Sequence, residues 1–139
     1  MFSPLFDLTL ALAAEQERHR PDPLISARAA SRMPQTYTRG LPDDTPRLRL
    51  RIPTGIELPP ILVQVGGTEM LAADARALRD EVCAAGGNCE LEVWPGQMHV
   101  FQALPMLVPE ADKALTRAAA FLRAALAAHS APSSSEKVS

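Results

Sequence analysis

Apolar and polar positions fall along the chain in a few distinct textures, and the clearest lies in its second half. Between Pro59-Pro60 and Gly66-Gly67 the run Ile61-Leu62-Val63-Gln64-Val65 is almost wholly apolar and rich in β-branched residues, which predicts a strand buried on both faces. From Asp74 to about Ala85, Ala75, Leu78 and Val82 recur at helical spacing, with Asp74 placed to cap the first turn and Gly86-Gly87 to end the last. Glu90-Leu91-Glu92-Val93-Trp94 then alternates with period two and stops at Pro95-Gly96, predicting a second strand near a sheet edge. Pro109-Glu110 opens a final helix to about Ala128, whose apolar face carries Leu115, Ala119, Leu122 and Leu126.

The first half is less regular. Ser3-Pro4-Leu5-Phe6-Asp7-Leu8-Thr9 reads as the end of a strand entering a turn, so the chain is expected to start in mid-element. Prolines are dense from Ala11 to Leu58, and the only helix predicted there runs from Ser26 to about Thr38, with Pro34 expected to kink or end it. Residues 129–139 are small and polar and are expected to form a disordered tail.

A strand, a helix and a strand in succession make a parallel unit, and parallel strands carry their carboxyl ends on the same sheet edge. The loops after the two strands, Gly66-Gly67-Thr68-Glu69-Met70-Leu71 and Trp94-Pro95-Gly96-Gln97-Met98-His99, should therefore emerge side by side. A carboxylate beside a histidine is two-thirds of a hydrolytic triad, in which neutral imidazole takes a nucleophile's proton while the acid orients it. The third member is missing from these residues, because no serine stands in a Gly-x-Ser-x-Gly elbow. Taken singly, His99 is a loop histidine, Glu69 a solvated glutamate and the glycine pair a sharp turn; the functional reading rests on their being neighbours. His19, among Arg18 and Arg20, and His129, at a helix end, are expected to lack an acid at useful spacing. Trp94 is expected in the core, and Met98 and Met106 could line an acyl pocket.

Composition narrows the field. The chain of 139 residues, 47% hydrophobic and 22% charged, suits one globular unit, and a net charge of −2 without basic runs argues against nucleic-acid binding. No apolar stretch reaches the roughly 20 residues that span a bilayer, and Met1-Phe2-Ser3-Pro4 lacks a basic signal region, so neither membrane insertion nor export is expected and the cytoplasm is the expected compartment. Cys83 and Cys89 are expected to be reduced packing residues.

The stretches LPPILVQVGGTEML, LEVWPGQMHVFQ and PEADKAL with its following FLRAAL, and more weakly SPLFDLTL, together resemble the hormone-sensitive-lipase-like branch of the α/β-hydrolases, carboxylesterases of broad range. The resemblance covers the chain to Ala128 and implies an α/β fold class: a partial α/β-hydrolase fold, C-terminal strand-helix-strand-helix (59–128) plus a cap-like insertion at 11–58. It implies that His99 is the catalytic histidine and that the Gly66 to Leu71 loop supplies the triad acid. Family members commonly carry Asp where Thr68 stands, so Glu69, one residue later, is the first candidate for the acid and Asp74 the second. The oxyanion loop and the serine elbow of such enzymes precede the segment resembling SPLFDLTL, so the chain resembles the carboxyl-terminal part of an esterase, expected to be inactive alone. A small-molecule ester would be its substrate once completed, no metal or cofactor is called for, and a homodimer through the last strand and helix is a possible assembly. A non-catalytic α/β binding module and one half of a split esterase are the alternatives. Two strands alone would leave the faces of Ile61 to Val65 short of neighbours.

Overall fold

A computed structural model describes residues 1–39, 41–42, 45–48 and 50–130. The elements are α1 (Ala11–His19), α2 (Ala27–Ala30), α3 (Arg32–Thr38), a 3-10 turn at Pro46–Leu48, β1 (Ile61–Gly66), α4 (Ala72–Ala84), β2 (Cys89–Trp94), a 3-10 turn at Phe101–Ala103 and α5 (Pro109–Ser130). β1 and β2 pair in parallel from Ile61 opposite Cys89 to Gly66 opposite Trp94. The opening residues join on the other side of β1: Phe2 bridges Gln64 in parallel, Gln64 N–H donates to the Met1 carbonyl at 2.9 Å, and Ser3 N–H donates to the Gln64 carbonyl at 2.9 Å. Three chain segments thus run alongside one another in one direction, and the turns that follow Phe2, Gly66 and Trp94 share an edge.

β1 is central because its side chains are apolar on one face and satisfied on the other. Val63 and Val65 enter a core with Phe6, Ala72, Ala75, Leu78 and Val82, which seals α4 against the sheet. Gln64, fully buried, donates from Nε2 to the Ala114 carbonyl of α5 at 3.0 Å and to Glu92 at 2.9 Å. The expectation that this strand would lack neighbours is therefore corrected: α4 covers one face and α5 reaches the other. The α4 stripe of Ala75, Leu78 and Val82 is as predicted, and Gly86, at φ +86°, turns the chain out of the helix.

Four local expectations differ. Asp74 does not cap α4: the helix begins at Ala72, and the Asp74 carboxylate inside its first turn accepts instead from the Phe6 and Asp7 amides at 3.0 and 2.8 Å. A helix at Ala11–His19 was not expected, since its helix-forming residues carry no apolar stripe and bury only Ala13. The helix after Ser26 breaks at Ser31, not at Pro34, which falls in the first turn of α3, where an amide hydrogen has no intrahelical partner to lose. Leu122 and Leu126 of α5 are 59% and 66% exposed, and the helix buries Ala111 and Ala114 instead. The last helix also continues to Ser130; the tail beyond it lies outside the described residues. No helix among the described residues is long and apolar enough to cross a membrane.

Candidate active site

Each candidate residue is held by apolar anchors beside it. Glu69 is followed by Met70 and Leu71, both buried with Leu10, Ala13, Ala27 and Ala30 beneath α1 and α2. His99 is flanked by Met98 and followed by Phe101, which pack with Trp94, Val108, Ala111 and Ala114 under α5. Burial of these neighbours fixes where the two loops leave the sheet, so the polar side chains between them have little freedom.

The two loops also bond to each other. Gly67 N–H donates to the Trp94 carbonyl at 2.7 Å, and the Thr68 amide and hydroxyl both donate to the Gln97 carbonyl, at 3.1 and 2.7 Å. Gly66 is required by this approach: a Cβ there would lie 2.6 Å from the Met98 carbonyl oxygen and closer still to that of Gln97.

Within this frame the Glu69 carboxylate, 0% exposed, is placed by three donors. His99 Nδ1 lies 3.3 Å from Oε1, while Ser3 Oγ and the Gly66 amide each donate to Oε2 at 2.8 Å. A carboxylate only accepts, so Nδ1 carries the proton of this bond, and in the neutral ring the free lone pair lies on Nε2. The His99 side chain keeps 26% of its surface exposed, which leaves the ring reachable from solvent. The Glu69 hydrogen bond raises the His99 pKa above its ordinary value; partial burial works against this, and the Glu69 and Asp22 charges add to the rise.

The structure thus brings Glu69 and His99 together and sets Asp74 apart. Asp74 is buried against Phe6 and Asp7, and desolvation raises its pKa despite the two backbone amides that stabilise its charge. Its role here is to tie the opening segment to α4. His19, expected to lack an acid, pairs with Glu15 one turn earlier at 3.0 Å on the exposed face of α1. Trp94 is half-buried against Phe101, with ring centroids 5.6 Å apart. Met106 is 93% exposed, whereas Met98 packs beneath the His99 loop. Both cysteines are free, but Cys83 is exposed rather than packed.

Sequence reasoning missed three residues of this neighbourhood. Ser3 donates to Glu69, Arg20 Nη1 donates to the Gly67 carbonyl at 2.6 Å, and Asp22 accepts the Met70 amide at 2.9 Å while holding the Leu24 and Ile25 amides. The only signal for Ser3 was its place at a strand end; for Arg20 and Asp22, inside a proline-rich stretch, there was none.

Comparison with known proteins agrees with this architecture. A family model described as the alpha/beta hydrolase fold matches residues 1–103. The chain belongs to the α/β-hydrolase fold family, in its hormone-sensitive-lipase-like branch. It is 36% identical over 126 residues to an acetyl-hydrolase of Streptomyces hygroscopicus, an alignment covering 88% of this chain and 41% of that protein. It is 46% identical over 70 residues to the carboxylesterase/phospholipase LipF of Mycobacterium tuberculosis, covering 50% of this chain and 19% of that one. Among solved structures, a hormone-sensitive lipase from a metagenome library superposes with a TM-score of 0.77 at 30% identity, covering 89% of this chain and 43% of that one. The chain therefore spans about two-fifths, or less, of the length of these relatives.

Proposed function

We propose that His99 and Glu69 are the base and the orienting acid of a serine carboxylesterase, completed by a serine elbow and an oxyanion loop that these 139 residues do not contain. The observation that carries this reading is the 3.3 Å contact between His99 Nδ1 and a fully buried Glu69 on adjoining loops at the carboxyl ends of parallel strands. The serine hydroxyl proton passes to His99 Nε2 as its oxygen bonds to the ester carbonyl carbon. The imidazolium then returns that proton to the departing alcohol, and a water molecule, deprotonated by the same nitrogen, releases the carboxylic acid and restores the serine. Throughout, Glu69 holds the tautomer that leaves Nε2 free and stabilises the positive ring. Small carboxylic esters are the proposed substrates, by likeness to an acetyl-hydrolase and a carboxylesterase.

The chain alone should hydrolyse p-nitrophenyl acetate and butyrate no faster than buffer. Joined to the portion of the Streptomyces acetyl-hydrolase that its alignment with this chain leaves uncovered, it should gain activity, with turnover falling on the order of 10³–10⁴-fold on His99→Ala and on Glu69→Gln. Asp74→Asn should leave turnover within a few fold. Full activity in Glu69→Gln, or its loss in Asp74→Asn alone, would reassign the acid.

A further inference from the structure

Three parallel segments, not two, deliver a side chain to the shared edge. The first ends at Ser3, which follows Phe2 in its bridge to Gln64 and is 5% exposed. Its backbone sits at φ 43°, a left-handed conformation that a residue with a Cβ seldom adopts, and it is pinned there by its own amide's bond to the Gln64 carbonyl. The consequence of that turn is a hydroxyl aimed between the two loops. Ser3 Oγ donates to Glu69 Oε2 at 2.8 Å and accepts from the Val100 amide at 3.1 Å. Val100, the residue after His99, is itself left-handed at φ 49°.

We propose that Ser3 is a positioning residue for the acid–histidine pair, one oxygen that sets the Glu69 carboxylate and the His99 loop against each other. This rests on the reading of Glu69 as the partner of His99, and it assigns Ser3 no contact with substrate. Two donors on Oε2, Ser3 Oγ and the Gly66 amide, fix the plane of the carboxylate, and that plane decides whether Oε1 faces Nδ1. The Gly66 amide alone leaves the group free to pivot about a single bond. Through Val100 the same hydroxyl fixes the backbone immediately after the imidazole, so both partners share one reference point from a segment more than 60 residues away from either. The Thr68 and Gln97 contacts hold the loops together further out, but they touch neither side chain of the pair.

The test uses the 139-residue chain labelled for NMR, with His99 ring titration and amide exchange as readouts. Ser3→Gly removes the hydroxyl and suits the left-handed backbone; Ser3→Ala removes it with the Cβ retained, and Glu69→Gln serves as reference. In both Ser3 variants the His99 midpoint should fall below that of the parent chain, though not below that of Glu69→Gln, and the Val100 amide should exchange about tenfold faster. A folded Ser3→Gly chain whose His99 titrates as in the parent would overturn the proposal, even if its unfolding midpoint had dropped, because lost stability alone is a structural effect. If Glu69→Gln also leaves the His99 midpoint unmoved, the pairing itself falls along with it. If Glu69→Gln lowers the midpoint and Ser3→Gly does not, only the role of Ser3 is refuted.

Discussion

Gly66→Ala is the substitution whose outcome the loop geometry constrains most tightly. Ordinarily, replacing glycine by alanine at a negative φ stabilises a protein by about 0.4–1 kcal/mol, because the unfolded chain loses freedom. Gly66 is not among the positive-φ glycines, so no backbone strain opposes that gain. What opposes it is space: the new methyl would lie 2.6 Å from the Met98 carbonyl oxygen and 2.8 Å from the Gln97 carbonyl carbon, both backbone atoms of the His99 loop. Reaching ordinary contact, with the still nearer Gln97 carbonyl oxygen included, requires that loop to retreat by roughly 1 Å, at an overpacking cost of about 1–3 kcal/mol. The clash therefore outweighs the entropic gain, and we expect a net loss of about 1–2 kcal/mol, a fall in the urea midpoint of about 0.5–1 M. The same retreat lengthens a His99 to Glu69 contact that already stands at 3.3 Å, so the His99 pKa should fall as well. Gly86→Ala is the control. Gly86 sits at φ +86° with nothing within 4 Å of a Cβ, so it should cost about 1 kcal/mol through strain alone and leave His99 untouched. A Gly66→Ala chain as stable as its parent, with His99 titrating unchanged, would refute the close approach of the two loops.

Other consequences follow from the same contacts. Asp74→Ala strips the Phe6 and Asp7 amides of their buried acceptor and should destabilise by about 2–4 kcal/mol in urea unfolding, a loss that a purely exposed carboxylate would not give. The His99 pKa is raised on folding, so its pairing with Glu69 contributes stability that is fully present below the unfolded-state value of 6.5 and is lost as pH rises through the higher folded-state value. Urea midpoints measured across that window should fall with rising pH in the parent chain and fall less in Glu69→Gln.

The candidate site was legible because it depends on topology more than on local detail. An apolar run, a striped helix and an alternating strand define a parallel unit, and that unit alone brings the loops of Glu69 and His99 to one edge. The cover over β1 was not legible, since Gln64 reads as a flaw in an apolar strand until the Ala114 carbonyl is seen to accept from it. Asp74 shows how a local rule loses to a distant one. A carboxylate beside a helix start is normally a cap, but here two amides from the opening segment, more than 60 residues away, compete for it and win. The helix at Ala11–His19 escaped notice because burying a single alanine leaves no periodic trace. Ser3 could not be found by spacing at all, for its partners Glu69 and Val100 lie 66 and 97 residues along the chain.

The pairing of His99 with Glu69 is tested most directly by following the His99 ring carbons of the 139-residue chain through a pH titration. A midpoint above the 6.5 of an unperturbed imidazole is predicted, since a buried carboxylate accepting from Nδ1 favours the charged ring. A midpoint at or below 6.5 would mean that burial outweighs the carboxylate, and that Glu69 does not hold the ring.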